Sequence, residues 1–175
     1  MDLNEYTPLA LNTALPTAFS TKYLIPAIYG EFGEVVEKFG KAHRDDKDTA
    51  WLDKETAKEY GDICWPLAIL LHMAGSDQDS TYFTDRFQPA ETPEEALRIL
   101  SYPIQHILKT YWGTANHTGP VSHHLRTDAE DLWAFLREHC YMVTGHTFSQ
   151  VLQMNVDKLA DRKARGVLGG SGDNR

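Results

Sequence analysis

We predict an all-α fold from three features of the 175-residue sequence. Apolar residues recur at helical spacing through several long segments, and residues that favour helix ends flank these segments. The alternating apolar and polar runs, rich in β-branched residues, that indicate strands are almost absent. A chain of this length typically forms one domain, so we expect a single helical bundle over residues 1–175.

Two helices are predicted in the first part of the chain. The first covers residues 4–15 and ends at Pro16, which begins a polar stretch. The second covers residues 23–43, with Pro26 in its first turn, where proline is tolerated. Residues 44–49 are polar and are predicted to form a loop.

A third helix, over residues 53–75, contains the most apolar run of the sequence. Asp53 favours its start and Gly75 its end, because aspartate caps helix N-termini and glycine accepts the left-handed backbone that follows C-termini. Pro66 lies inside this helix and removes one of its backbone hydrogen bonds. The apolar run is too short to cross a membrane, so we expect this helix in the core.

The rest of the chain alternates loops with helices. Pro103 is expected to divide residues 93–113 into two short helices, and Thr147 is expected to cap the last helix. The other predicted segments are loops at 76–93 and 114–124, a long helix at 126–145, the last helix at 148–166 and a glycine-rich tail at 166–175.

Composition argues against several classes of protein. The net charge of −8 disfavours nonspecific binding to nucleic acid or to an anionic membrane surface. The two cysteines, Cys64 and Cys140, lie in apolar runs without a CxxC motif, which indicates reduced, buried thiols. The N-terminal residues lack the basic and apolar regions of a signal peptide, so we expect a cytoplasmic protein.

The segment YGEFGEVVEKFGKAHRDD, residues 29–46, combines an apolar face with closely spaced glutamates. Glu31 and Glu34 are three residues apart and share one helical face, which Lys38 and Lys41 extend. Like charges at this spacing destabilise a helix unless a cation offsets them, and hard divalent cations prefer oxygen ligands.

The next helix repeats this arrangement with Glu59 and Asp62, which are also three residues apart. Two such helices packed together can bring the four carboxylates to one site, which is how helical bundles build metal sites in their cores. Gly33 and Gly61 lie within the two acidic pairs, and we expect their lack of a Cβ atom to permit close approach. A single acidic pair is usually a solvated face, but two pairs on successive helices favour the metal site.

The last helix carries polar and cationic side chains at helical spacing. They are Asn155, Lys158, Arg162 and Arg165. Alone, this stripe is typical of a solvated face near a helix C-terminus, where cations also suit the helix dipole. Beside a metal held by carboxylates, it favours binding of a polyphosphate.

Residues 29–45, 58–68 and 155–175 resemble the MazG-like nucleoside triphosphate pyrophosphohydrolases, a family of all-α enzymes. The tail most resembles members encoded by bacteriophages, which would act in the host cytoplasm. The family uses an ExxE…ExxD motif to hold Mg²⁺, with Mn²⁺ as a possible substitute. In this sequence the motif consists of Glu31, Glu34, Glu59 and Asp62.

The resemblance implies hydrolysis of a nucleoside or deoxynucleoside triphosphate between the α and β phosphates, giving the monophosphate and pyrophosphate. Asn155 and Lys158 match the family's phosphate-contacting residues, and Lys158 with Arg162 would neutralise the leaving pyrophosphate. The composition of the tail at 166–175 fits either a disordered end or a segment that folds over the nucleotide, and the resemblance favours the second. Further candidates for phosphate binding are Lys38, Lys41 and Arg165.

Residues 76–127 depart from the family pattern and are interpreted as an insertion. Family members build their bundle from two or more chains, so we expect a homodimer or homotetramer, unless the insertion completes the bundle within one chain. The alternatives are a diphosphatase with a narrower substrate (dUTP, dCTP or an alarmone nucleotide) and a non-catalytic helical binding module. Zinc binding by histidines is a weaker interpretation, since no CxxC or HExxH motif accompanies them. These histidines are His106, His117, His123 and His124.

Overall fold

The computed structural model describes residues 1–76, 89–113 and 121–168, and these ranges contain helices and no strand. The predicted all-α fold is therefore confirmed. The helices are α1 (Leu3–Leu11), α2 (Thr21–Arg44), α3 (Thr49–Met73), α4 (Pro93–Tyr111), α5 (His123–Thr144) and α6 (Phe148–Ala164), with a 3-10 turn at Pro16–Ala18 between α1 and α2.

Local capping interactions set the ends of the helices. α3 begins about one turn before the predicted Asp53, because the Asp48 carboxylate accepts a 2.8 Å hydrogen bond from the Trp51 N–H. The cap of α6 at Thr147 is confirmed. The end of α3 is also as predicted, since Gly75 follows it with a φ of 70°.

Among the described residues, four prolines lie inside helices without ending them, and Pro8 in α1 is the first. Pro26 is in the second turn of α2 rather than the first, and α3 continues past Pro66. α4 continues past Pro103, so the predicted division into two helices is wrong. Leu100 and Ile104 are buried on either side of this proline. Each fully buried aliphatic side chain stabilises by about 1.5–3 kcal/mol, so a few of them offset the roughly 3 kcal/mol cost of an internal proline.

α3 is the central helix of the bundle and packs against α1, α2, α5 and α6. Its second half is buried almost throughout from Ile63 to Leu71, which confirms the predicted core helix. α2 and α3 are joined by a short loop at residues 45–48 and pack along each other. This hairpin brings the middle of α2 opposite the first half of α3.

α4 belongs to the same hydrophobic core, although it lies within the segment interpreted as an insertion. It packs against α2 and α5 through buried residues such as Leu100 and Ile107. Two parts of that segment, residues 77–88 and 114–120, lie outside the described residues. The same is true of residues 169–175, and therefore of the predicted closure of the tail over a nucleotide.

Two further predictions concern the thiols and the apolar helices. Cys64 and Cys140 are both buried, as predicted, and both are free thiols. Within the ranges that the structure describes, none of the helices has an apolar run that is long enough to cross a membrane.

Candidate metal centre

Three glutamate side chains from α2 and α3 converge at one place on the bundle. Glu31 and Glu34 lie one turn apart on α2, and Glu59 joins them from α3. One carboxylate oxygen of each residue lies within 4.8 Å of the other two. Oxygen ligands lie about 2.0–2.6 Å from Mg²⁺ or Ca²⁺, so ligands on opposite sides of such an ion are about 4–5 Å apart. The three carboxylates therefore fit a hard divalent cation.

The Glu31 carboxylate lies in surroundings that disfavour its charge. Burial is the largest cause that raises its pKa from 4.5 to about 7. The negative charges of Asp62, Glu34 and Glu59 raise this pKa further. The Lys158 ammonium only partly opposes them. A divalent cation at this place would relieve the repulsion among the carboxylates.

Asp62 lies beside the glutamates, but groups of α6 hold its carboxylate. Its Oδ1 accepts a 2.7 Å hydrogen bond from Asn155 Nδ2, and its Oδ2 accepts one from Lys158 Nζ. Burial raises the pKa of Asp62, while the Lys158 charge and hydrogen bond lower it. The Asp62 oxygens are not part of the close group that the three glutamates form. Asp62, the predicted fourth ligand, thus lies next to that group, and side chains of α6 orient its carboxylate.

The two lysines of the α2 stripe have different surroundings. Lys38 Nζ lies 2.8 Å from Glu59 Oε1, and both side chains are largely buried, so Lys38 is part of the site. Burial is the largest single influence on the Lys38 pKa and lowers it, but the hydrogen bond to Glu59 and the negative charges of Glu59, Glu55 and Glu34 together raise that pKa above its ordinary value. Lys41 Nζ instead lies 2.8 Å from the exposed Glu37, one turn earlier on α2. Helical spacing alone does not reveal this competition for Lys41.

The two arginines predicted for the site also have different surroundings. Arg162 is half-buried, and its charge lowers the pKa of Asp62, which places it near the acidic site. Among the described residues, its guanidinium has no hydrogen bond or ion pair. Arg165 is exposed and pairs with Asp161 on its own helix at 2.7 Å. The structure therefore places Arg162 near the acidic site, whereas Arg165 pairs with Asp161.

The glycines of the two acidic pairs have different roles. A Cβ atom at Gly61 would lie 2.9 Å from the Asn155 Cβ, so α3 and α6 approach as closely as they do because residue 61 has no side chain. A Cβ atom at Gly33 would meet no described atom within 4 Å. The expectation of close approach is thus confirmed at Gly61, whereas the described residues provide no such contact at Gly33.

Sequence reasoning missed one residue connected to the site. Tyr6, on α1, donates a 2.7 Å hydrogen bond from its hydroxyl to Asn155 Oδ1 and is fully buried. Its pKa is raised, first by burial and also by the nearby charge of Asp62. The available signal was a lone aromatic residue in a short first helix, which is also typical of ordinary core packing.

The histidines do not form a second metal centre in the part of the chain that the structure describes. His106 Nδ1 lies 3.3 Å from Asp128, and the rings of His123 and His124 are neighbours with centroids 6.0 Å apart. His117 lies outside the described residues. The group with metal-binding geometry in the described ranges is the glutamate group alone.

Comparison with protein-family models, curated proteins and solved structures found no match to this chain. The fold and the site define an all-α protein in which a group of three carboxylates fits a hard divalent cation. Cationic side chains from α6 lie beside that group.

Proposed function

We propose that the chain is a Mg²⁺-dependent hydrolase that converts nucleoside or deoxynucleoside triphosphates to monophosphates and pyrophosphate, with Mn²⁺ able to replace Mg²⁺. The observation that carries the proposal is the convergence of Glu31, Glu34 and Glu59 from two helices. The choice of reaction comes from the resemblance of the ExxE…ExxD segments to MazG-like pyrophosphohydrolases.

The carboxylates supply the metal-binding half of this function. Glu31, Glu34 and Glu59 would hold the cation, with Asp62 as the adjacent fourth acid. A bound Mg²⁺ would polarise phosphate oxygens and lower the pKa of a coordinated water. Lys38 would hold the Glu59 carboxylate in place through their 2.8 Å ion pair.

The cations of α6 supply the phosphate-binding half. Lys158 and Arg162 lie on one face of α6 beside Asp62, and the Arg162 guanidinium has no partner among the described residues. Positive charge there would stabilise the charge that develops on the leaving pyrophosphate. Because Lys158 already donates to Asp62, it can contact a phosphate and a metal-binding acid together.

We also propose a cytoplasmic homo-oligomer, a dimer or a tetramer. Tyr29 and Val36 lie seven residues apart on one face of α2 and are 42% and 43% exposed. Apolar side chains at this spacing are typical of a helix that packs against another helix. Light scattering coupled to size-exclusion chromatography would measure the oligomeric state.

The decisive test is product identification. The purified protein would be incubated with each of the common ribo- and deoxyribonucleoside triphosphates, in Mg²⁺, in Mn²⁺ and in EDTA. Monophosphate and pyrophosphate formed only with metal would support the proposal and rank the bases. Diphosphate and orthophosphate would contradict it, because cleavage would then be at the other anhydride bond.

A further inference from the structure

A chain of two hydrogen bonds connects α1 to the acidic site through α6. The Tyr6 hydroxyl donates to Asn155 Oδ1 at 2.7 Å, and Asn155 Nδ2 donates to Asp62 Oδ1 at 2.7 Å. Tyr6 is fully buried and Asn155 is 3% exposed, so the bond between them is shielded from water, while the bond from Asn155 to Asp62 is partly buried. Three helices that are distant in the sequence are therefore joined at one carboxylate.

The chemistry of the three groups fixes the direction of this chain. An ionised carboxylate only accepts hydrogen bonds, so Asn155 must present its NH₂ group to Asp62. The amide oxygen of Asn155 then faces Tyr6, whose hydroxyl donates to it. If the amide were rotated, its oxygen would lie against the Asp62 carboxylate and its NH₂ group would replace the acceptor of Tyr6. The Tyr6 hydroxyl thus favours the one amide orientation that suits Asp62.

We propose that Tyr6 and Asn155 are positioning residues that fix the Asp62 carboxylate relative to the three glutamates. This inference rests on the proposed function, since it concerns how the fourth acid is presented to the cation. It gives Asn155 a role other than the phosphate contact expected from the sequence, because the side chain is 3% exposed and both its amide oxygen and its NH₂ group are bonded within the protein.

The competing explanation is that the chain only stabilises the bundle. Tyr60 provides a matched control for that explanation. It is also fully buried, and its hydroxyl donates a 2.8 Å hydrogen bond to the main-chain oxygen of Leu136, on α5. Tyr6→Phe and Tyr60→Phe each remove one buried hydroxyl and one hydrogen bond, but only Tyr6→Phe affects a group that orients Asp62.

The experiment measures Mg²⁺ affinity by calorimetry and the melting temperature without metal for the wild type and both variants. Both variants should melt at lower temperature. Mg²⁺ affinity should fall about tenfold in Tyr6→Phe, as is typical when a group that orients a metal ligand is lost. It should be unchanged in Tyr60→Phe. Equal Mg²⁺ affinities in the two variants would overturn the positioning role alone, whereas a wild type that binds no Mg²⁺ would overturn the proposed function as well.

A double-mutant cycle tests whether Tyr6 acts through Asn155. Asn155→Leu replaces the amide with an apolar group of similar size and should weaken Mg²⁺ binding at least as much as Tyr6→Phe. Adding Tyr6→Phe to Asn155→Leu should then cause no further loss, because the connection is already broken. A fully additive loss would contradict the chain. If Asn155→Leu does not fold, the comparison of the two tyrosine variants still decides the question.

Discussion

The two sides of the acidic site differ in how their charges are balanced. On the α2 side, Glu31 and Glu34 lie within a group of close carboxylates, and the pKa of Glu31 is raised to about 7. On the α6 side, Asp62 accepts hydrogen bonds from Asn155 and Lys158. The ionised Glu31 carboxylate therefore opposes folding until a cation binds, while the Asp62 carboxylate is already oriented by the protein. Repulsion between charges of this kind is typical of functional sites, which often lower the stability of the folded protein.

The largest expected effect comes from removing one carboxylate on either side. Glu34→Gln and Asp62→Asn should each lower turnover by at least ~100-fold, the upper end of what loss of an orienting group costs. Both variants should keep the helical circular dichroism of the wild type, because each change is nearly isosteric. Activity close to wild type in either variant would remove that residue from the site.

A second expected effect is a dependence of Mg²⁺ affinity on pH that comes from the α2 side. The proton on Glu31, whose pKa is about 7, must leave before the carboxylate can bind metal. Below that pH, affinity should fall by up to about tenfold per pH unit. Calorimetric titrations at about pH 6, 7 and 8 would measure this change. A flat profile would show that Glu31 does not bind the cation in its ionised form.

A smaller effect is expected on the stability of the metal-free protein. The folded pKa of Glu31, about 7, is above its ordinary value of 4.5, so the folded state holds the proton more tightly. Stability from this group is therefore complete below pH 4.5 and decreases as the pH rises to about 7. At higher pH, Glu31→Gln should stabilise the protein by about 1 kcal/mol, allowing for partial exposure.

Urea unfolding in EDTA would measure this difference, which should disappear in acid. Loss of stability at high pH in Glu31→Gln would contradict the charge repulsion described for the α2 side. Added Mg²⁺ should stabilise the wild type more than the variant, since ligand binding to the folded state adds to its stability.

The smallest effects concern the lysines. Lys158→Met should lower turnover. The affinity of this variant for Mg²⁺ should be unchanged or higher, because the lysine ammonium no longer competes with the metal for the Asp62 carboxylate. Lys41→Met is the matched control, since Lys41 pairs only with the exposed Glu37 among the described residues, and surface pairs contribute about 0–1 kcal/mol. Steady-state kinetics and Mg²⁺ calorimetry on both variants would measure these effects. Equal kinetics in the two variants would make the α6 stripe an ordinary solvated face.

The helices themselves could be predicted because periodicity is a local signal that extends over many residues. The cap at Asp48 and the continuity of α4 past Pro103 could not. Two nearby aspartates compete to start α3, and only the folded chain shows that Asp48 bonds to the Trp51 N–H. Continuity at Pro103 depends on burial against other helices, which no local pattern contains.

In the candidate site, too, the sequence could predict some features and not others. The convergence of the glutamates follows from two acidic pairs on helices that a short loop joins, so the sequence could predict it. The hydrogen bond between Tyr6 and Asn155 joins residues 149 positions apart, and neither residue type indicates the other. The helical face of Lys41 predicts that it belongs to the site, but its ammonium pairs with the exposed Glu37.

The missing side chain at Gly61 has an evolutionary consequence. A methyl group there would lie 2.9 Å from the Asn155 Cβ, so α6 would have to shift away from α3. The shift would stretch the bond from Asn155 to Asp62 and disturb the one from Tyr6 as well. Relatives of this chain are therefore expected to inherit residues 61 and 155 as a pair. Relatives with a larger residue at position 61 should also differ at position 155.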